Sequence, residues 1–359
     1  MSGGVDSSVT AALLLEQGYQ VIGVTMKIWQ EEEVLKNSSK SCCSWEAIDD
    51  ARRIANALDI PHYVLNLSNQ FKNTVVDYFI EEYRSAKTPN PCVVCNRQIK
   101  FGIFLSKALA IGADLFASGH YVRSGWNPHT RRYFIRKGKD KDKDQSYTLF
   151  NLTQKQLSHI VFPLGDYLKE EVRSVAESRG WKVSQKQESQ EVCFIPHGDY
   201  RDFLRRQGVE FSPGLIKDTA GNIIGTHQGL PGYTLGQRRG LGVSSSVPLY
   251  VVAMNPEENT LIVGTREETF SQDLIAHQLN FMEIDPPGKS ITAEARIRYR
   301  SPEVPAIIYP PDAKGRARVE LKRPQPAVTP GQAIVFYRQD RVLGGGTILT
   351  PVDRSNNFE

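Results

Sequence analysis

No apolar run in this sequence approaches the roughly 18 residues of a membrane-spanning helix. Met1 is followed by neither a basic segment nor a long apolar one, so no export signal is read and a cytoplasmic chain without a membrane partner is expected. Cysteine is scarce, at five in 359 residues, which is too few for a disulfide framework. Two of the five share a Cys-x-x-Cys, so thiol chemistry or metal binding is the better use for them. Neither sign of charge dominates: a formal net charge of +4 does not by itself announce a nucleic-acid partner. There is no internal repeat and no long low-complexity segment; "KGKDKDKD" (Lys137 to Asp144) reads as a short charged loop. A Walker phosphate loop is missing too, because the single Gly-Lys-Ser (Gly288 to Ser290) has Glu283 where the first Walker glycine belongs.

What is present is an alternation of helix and strand patterns. A chain of this length exceeds one ordinary core, and two or three domains are expected. A helix over Val9 to Gln17 stops at Gly18, and "QVIGVTM" (Gln20 to Met26) has the texture of a buried parallel strand. A helix over Trp45 to Leu58, a strand over Tyr63 to Leu67, and helices marked by Phe71 to Tyr83 and Phe101 to Ala108 follow, then a strand over Asp114 to Tyr121. This predicts a doubly wound parallel α/β sheet, whose ligands sit at the carboxyl ends of the strands. A later helix spans Tyr167 to Arg179. Beyond about Pro196, Gly and Pro punctuate short β runs such as Leu249 to Met254, Thr260 to Thr265 and Ala333 to Tyr337. The expected division is 1–198, 199–270 and 271–355, the last two being β domains.

The opening stretch "MSGGVDSS" carries the first chemistry. Gly3 and Gly4 let backbone amides turn around phosphate oxygens, Ser2, Ser7 and Ser8 add hydroxyls, and the following helix N-terminus favours negative charge. Asp6 beside phosphates makes sense as a ligand for Mg²⁺. The plain alternative is a helix-opening turn. The second signal is "TPNPCVVCNRQIKFG", which puts Cys92 and Cys95 just before a helix, where the dipole can activate a thiol. Cys193 lies on a distant polar loop. Three such cysteines are one short of a structural zinc site, and no His pair has finger spacing. A reactive pair or an iron–sulfur cluster with an open position fits the count; Cys42 and Cys43 read as packing thiols. Residues 123–143 carry eight Lys/Arg against two Asp, and residues 288–323 carry nine against four acids, with Trp126, Tyr133, Phe134, Tyr299 and Tyr309 interleaved. Such segments are either solvated loops or RNA contacts.

In combination, SGGVDSS, TPNPCVVCNRQIKF, ASGHY (Ala117 to Tyr121), KDQSY (Lys143 to Tyr147), ESQEVCF (Glu188 to Phe194) and HQGLPGYTLGQRRGLG (His227 to Gly242) closely resemble the bacterial tRNA-specific 2-thiouridylase family, almost end to end. The SGG-x-DS element alone is shared across the pyrophosphatase-loop adenylating enzymes. The resemblance implies an adenine nucleotide α-hydrolase-like catalytic domain and two β domains, the last barrel-like, that help grip tRNA. It implies ATP-dependent adenylation of the C2 oxygen of a wobble uridine, then sulfur transfer from a cysteine persulfide. Cys193 would carry the persulfide, received from a sulfur carrier or cysteine desulfurase, and Cys95 would be its partner. Ser2, Gly3, Gly4, Asp6, Ser7, Ser8, Met26 and Gly119 would hold ATP and Mg²⁺. Asn90, Pro91 and Cys92 would surround the target base, while His120, Lys143, Asp144, Gln145, Arg298, Tyr299, Arg300 and Gln332 would contact tRNA.

The sequence departs from that pattern twice. Many relatives have Asp where this chain has Cys92, so Cys92, Cys95 and Cys193 as ligands of a [4Fe-4S] cluster stand as an alternative to the persulfide route. Relatives also place an apolar strand before the Met-Ser-Gly-Gly, so a first strand is expected ahead of Met1. Two other functions compete: another adenylating enzyme of the same loop family, which would not need Cys95 and Cys193, and a non-catalytic RNA-binding iron–sulfur or zinc protein, which would not consume ATP.

Overall fold

A computed structural model describes residues 1–28, 45–186, 192–195 and 199–352. The chain divides into two units, one formed by Met1–Val76, Cys92–Gly198 and Asp340–Val342, the other by Asp77–Pro91, Asp199–Gln339 and Leu343–Glu359.

The first unit is the α/β part. Helix α1 (Val5–Glu16) is apolar almost all round, as a fully buried helix must be, and strand β1 (Gly23–Lys27) follows it. Helix α2 (Trp45–Ala57) leads to β2 (His62–Asn66), which pairs with β1 in parallel, Gly23 opposite His62 and Met26 opposite Leu65. Met1 lies beside β1: its amino group donates to the Val24 carbonyl, and Thr25 Oγ1 donates to the Met1 carbonyl at 2.7 Å. The chain therefore passes from the flank of β1 into the glycine turn. A second parallel pair joins β3 (Phe116–Ala117) to β6 (Ile160–Val161). Val5, Val9, Ala12 and Leu13 of α1 pack with Ile54 of α2 and with Val172 and Ala176 of helix α3 (Lys169–Ser178).

Several expectations need correction. The strand read over Asp114 to Tyr121 is only Phe116–Ala117, because Ser118 to Tyr121 turn away to reach the start of α1. The helix read from Phe101 begins at Pro91, where a proline suits the first helical position, and runs through a π-helical stretch, Cys95–Phe104, into Leu105–Ala110. The basic segment read as a loop contains an antiparallel hairpin, β4 (Val122–Asn127) and β5 (Arg132–Lys137), with Trp126 opposite Tyr133.

The second unit holds the β structure together with a helix, α4 (Tyr200–Arg206), that the fading periodicity after Pro196 did not suggest. Strands β7 (Gly214–Asp218), β8 (Ile223–His227), β9 (Tyr250–Asn255) and β10 (Thr260–Gly264) form a sheet in the order β8-β7-β10-β9 over a core of Ile216, Leu230, Tyr233, Val251, Leu261 and Val263. Strands β11 (Phe270–Phe281), β12 (Ile291–Arg296), β13 (Val304–Ile308), β14 (Ala317–Pro326), β15 (Ala333–Arg338) and β16 (Arg341–Val352) close into a barrel through the β11–β16 pairing. Strict alternation fills it: Ala317, Val319 and Leu321 face inward beside Val304, Ala306 and Ile308. Among the described residues, no helix is long and apolar enough to cross a membrane.

Candidate active site

The glycine turn is locked by α2. Gly3 has φ +66°, and a Cβ there would lie 2.2 Å from the Ala47 carbonyl oxygen, so both backbone and space require glycine. Gly4 is extended and delivers the chain into α1. Ser7 Oγ closes the turn, accepting from the Ser2 amide at 3.0 Å and donating to the Gly4 carbonyl at 3.1 Å, with Ser2 Oγ 3.2 Å away. Ser8 is buried and donates to the Gly4 carbonyl at 2.9 Å, which makes it a strut of the turn.

Asp6, on the first turn of α1, is the centre of the site. Its Oδ1 accepts from the Tyr121 hydroxyl at 2.6 Å and from Lys169 Nζ at 2.7 Å, and its Oδ2 from the same ammonium at 2.9 Å. Tyr121 and Lys169 are both buried. Gly119 approaches so closely that a Cβ would sit 3.1 Å from the Asp6 backbone. Lys186 adds a second cation, donating to the Gly3 carbonyl at 3.3 Å and to Asp50 at 3.0 Å. Met26 lies half-buried toward the carboxyl end of β1, where an α/β sheet takes its ligand. Asp6 would be the residue to hold Mg²⁺ beside substrate phosphates, as one carboxylate of the sparse protein set that ion uses. Sequence reasoning missed Lys169, Tyr121 and Lys186. The only available signal was Tyr121 at the end of ASGHY.

The KDQ segment is tied to the same place. The Gln145 side-chain oxygen accepts from the Tyr121 amide at 3.1 Å, and the Gln145 amide donates back to the Tyr121 carbonyl at 3.2 Å. Asp144 is buried and accepts from Gly138 N, Ser146 N and Ser146 Oγ, so it shapes the turn. Lys143 is half-buried beside Asp140, to whose carboxylate its amide donates.

His120, expected by resemblance to contact tRNA, lies in the core of the first unit. Its Nδ1 lies 2.7 Å from Ser118 Oγ, its ring packs between Phe101 and Phe162, and it is only 7% exposed. Burial, then the charge of Lys100, pushes its pKa well below the ordinary histidine value. The folded state keeps this imidazole neutral while the unfolded chain protonates near pH ~6.5, so stability is lost as pH falls below that value, by up to about 1.4 kcal/mol per pH unit. His62, His227 and His277 act in the same direction. His120→Gln should remove one proton's share of this slope in urea unfolding between about pH 7 and 5. An unchanged slope would mean the ring is not held neutral.

The cysteines lie on two supports in the first unit. Cys92 is exposed near the start of the helix opened by Pro91; Cys95 is half-buried at the start of the π stretch. Gln156 donates to the carbonyls of Arg97 (3.3 Å) and Phe101 (2.7 Å), and Asn96 donates to Thr148, which together hold this widened helix in place. Cys193 is half-buried in a turn closed by Ile195 N donating to the Val192 carbonyl. Its neighbour Phe194 is buried edge-on against Phe71, at 5.8 Å, on the Ser68–Phe71 helix that packs on the Cys95–Phe104 stretch. Both supports thus border one helical layer. Among the described residues, no three His, Cys, Asp or Glu side chains are grouped to hold a metal ion, Cys92, Cys95 and Cys193 included. Cys42 and Cys43 lie outside the described residues.

In the second unit, Gln332 donates to the carbonyls of Thr88 (2.8 Å) and Pro89 (3.1 Å), fixing the backbone that leads into half-buried Asn90 and buried Pro91. Arg298 Nη2 is committed to the Ala327 carbonyl (2.5 Å) and Thr329 Oγ1 (2.7 Å), whereas Tyr299 and Arg300 are exposed. Many cations of the basic segments are likewise paired: Arg123 and Arg136 with Asp340, Lys139 with Glu171, Arg318 with Asp273 and Arg316 with Asp312. Arg131 and Lys141 remain exposed.

Family comparison bears on the whole chain. Residues 1–197 match the tRNA methyl transferase HUP domain, residues 201–265 the tRNA methyl transferase PRC-barrel domain, and residues 271–348 the aminomethyltransferase β-barrel domain. The tRNA-specific 2-thiouridylase of Moorella thermoacetica is 51% identical over 350 residues, covering 97% of this chain and 98% of that protein. Those of Caldanaerobacter subterraneus and Carboxydothermus hydrogenoformans are 51% and 50% identical over 350 residues, each covering 97% of this chain and 96% of their own length.

Proposed function

The chain belongs to the tRNA-specific 2-thiouridylase family, and on that premise we propose that it replaces the C2 oxygen of a wobble uridine in tRNA with sulfur, activating the oxygen with ATP and drawing sulfur from a cysteine persulfide. The uridine oxygen attacks the α-phosphorus of ATP, the bond to the β-phosphate breaks, and pyrophosphate leaves into the Ser2 to Ser8 turn. There the first-turn amides of α1 and the hydroxyls of Ser2 and Ser7 receive it. Mg²⁺ held by Asp6 would neutralise charge on the departing pyrophosphate. Met26 and Gly119 flank the nucleotide. Activation comes first because oxide is a very poor leaving group and AMP a good one.

Cys193 takes the outer sulfur from a persulfide carrier or a cysteine desulfurase. The Cys95 thiolate attacks the Cys193 sulfur, a Cys95–Cys193 disulfide forms, and hydrosulfide is released. Hydrosulfide adds at C2, AMP departs with the former O2, and an external thiol reductant reopens the disulfide. Asn90, Pro91 and Cys92 are assigned to the target base, and Lys143, Gln145, Tyr299 and Arg300 to tRNA. Burial and internal hydrogen bonds favour positioning roles for His120, Asp144, Arg298 and Gln332.

The observation that carries this reading is the Gly-Gly-x-Asp turn gripped by Tyr121 and Lys169, in the unit that also holds Cys95 and Cys193. The test supplies unmodified tRNA, ATP and a persulfide donor to the purified chain and follows 2-thiouridine by mass spectrometry of the nucleosides together with pyrophosphate. 2-Thiouridine should require ATP, tRNA and the persulfide donor together, and pyrophosphate release should require tRNA. Thiolation without ATP, or ATP cleavage indifferent to tRNA, would overturn it.

A further inference from the structure

We propose that the turn from Thr234 to Gly242 is an RNA-backbone site of the second unit, in which Arg238 and Arg239 take phosphodiesters of the tRNA. The proposal rests on the tRNA-modifying reading above and gives a use to the HQGLPGYTLGQRRGLG segment, which that reading leaves without one.

The turn holds two arginines outward on a fixed frame. Tyr233 and Leu241 are buried in the core of the β8-β7-β10-β9 sheet, whereas Arg238, Arg239 and Gly240 between them are exposed. Gln237 latches the turn: its side-chain oxygen accepts from the Thr234 amide at 3.2 Å, and its side-chain nitrogen donates to the Arg239 carbonyl at 2.9 Å. Its backbone is stitched to β9, since Gly236 N donates to the Val251 carbonyl at 2.8 Å and Val251 N donates to the Gln237 carbonyl at 2.9 Å. Gly236 (φ +78°) and Gly240 (φ +73°) supply the left-handed bends. A frame ordered in advance loses little conformational entropy when a ligand arrives.

The two charges are unanswered within the fold. Among the described residues neither guanidinium has a hydrogen-bond or ion-pair partner, and no Asp or Glu occurs between Asp218 and Glu257. Arg296, Arg316 and Arg318 of the same unit are instead paired with Glu303, Asp312 and Asp273. The turn is also bolted to a second basic one. Arg298 Nη2, which holds the Ala327 carbonyl and Thr329, reaches the Leu235 carbonyl at 3.5 Å, and a Cβ at Gly236 would lie 2.6 Å from Ala327 Cβ. Arg298 opens a turn closed by Ser301 N donating to its carbonyl at 3.1 Å, and that turn presents Tyr299 and Arg300 to solvent. Three exposed guanidinium groups and an exposed tyrosine thus share one ledge. Guanidinium forks match phosphate oxygens, and a tyrosine face receives an unstacked base, so the ledge fits an RNA chain better than an acidic protein. Gly242 and Ser244 to Ser246, small and exposed, leave room for the sugar–phosphate chain.

The test measures tRNA binding by the full chain on filters from about 50 to 250 mM KCl. Arg238→Gln/Arg239→Gln should weaken binding by on the order of tenfold at low salt and lower the slope of log affinity against log salt by about 1.4 to 1.8, the share of two phosphate contacts. Arg266→Gln/Arg338→Gln, which removes two other exposed cations of the same unit, should keep the parental affinity and slope. At saturating tRNA the turn variant should release pyrophosphate at the parental rate, with only the KM for tRNA raised, and its melting temperature should match the parent. A parental slope in the turn variant, or an equal drop in the control variant, overturns the proposal alone. Intact tRNA binding with thiolation slowed only when a protein supplies the persulfide, and not a small-molecule persulfide, also overturns it and gives the turn to an acidic protein partner. A parent that binds no tRNA overturns the tRNA reading and the proposal with it.

Discussion

Asp6→Asn is expected to lower tRNA-dependent pyrophosphate release by on the order of a hundredfold or more, the scale of losing one fixed charge at a developing anion. Affinity for tRNA should stay nearly unchanged, because the Asp6 carboxylate is satisfied by Tyr121 and Lys169 inside the first unit. Asparagine is the informative replacement. It keeps the size of the side chain and an oxygen for the Tyr121 hydroxyl, and it removes the charge that fixes Lys169 and offers a site to Mg²⁺. Alanine would instead strand a largely buried ammonium. Orphaning one partner of a buried pair costs about 3–5 kcal/mol, and less here because the Asp6 side chain is 34% exposed. Lost folding could then pass for lost chemistry. Pyrophosphate release and filter binding of tRNA should be measured on the same preparation, with the melting temperature as the folding check. Near-normal release by a folded Asp6→Asn would remove Asp6 from the reaction.

The parts of this site legible in the sequence are those in which one short segment does the work. Gly3 declares a left-handed turn, Asp6 declares a charge in it, and the Cys-x-x-Cys after two prolines declares thiols at the opening of a helix. The alternation of patterns up to Tyr121, and its loss after Pro196, likewise carry the change from α/β to β structure. What the sequence hides is long-range partnership. Nothing local to Lys169, the first residue of an ordinary amphipathic helix, shows that its ammonium ends on Asp6. Nothing in a basic stretch shows that Arg123 and Arg136 converge on Asp340. His120 is expected at tRNA only through the family resemblance. Only the packing of Phe101 and Phe162 around it reveals a neutral core ring. Gln332, expected at tRNA by resemblance, sits in a Pro-Gly-Gln turn, and nothing local shows that its amide clamps the backbone at Thr88 and Pro89.

The cysteines offer the other large effect. Cys193→Ser should abolish 2-thiouridine and lose persulfide labelling, while Cys95→Ser should abolish 2-thiouridine and retain a labelled Cys193, each thiolation rate dropping by on the order of a thousandfold as expected for loss of a covalent nucleophile. Cys92→Ser should stay within a few-fold of the parent. The division follows from the assigned steps: only Cys193 accepts the outer sulfur, and only Cys95 must expel it. The two thiols are held differently, which makes the variants separable. Cys193 sits beside Phe194, anchored edge-on to Phe71, and Cys95 sits on a helix braced by Gln156 and Asn96, so serine at either position leaves the supports of the other intact. A three-cysteine cluster makes the opposite forecast, since a cluster with three protein ligands has none to spare and Cys92→Ser would lose iron, visible absorbance and thiolation together. Iron and sulfide analysis of anaerobically purified parent and Cys92→Ser chains therefore decides between the routes. Stoichiometric iron in the parent that disappears with activity in Cys92→Ser would overturn the persulfide assignment, and an iron-free parent with a labelled Cys193 in Cys95→Ser would establish the order in which sulfur moves.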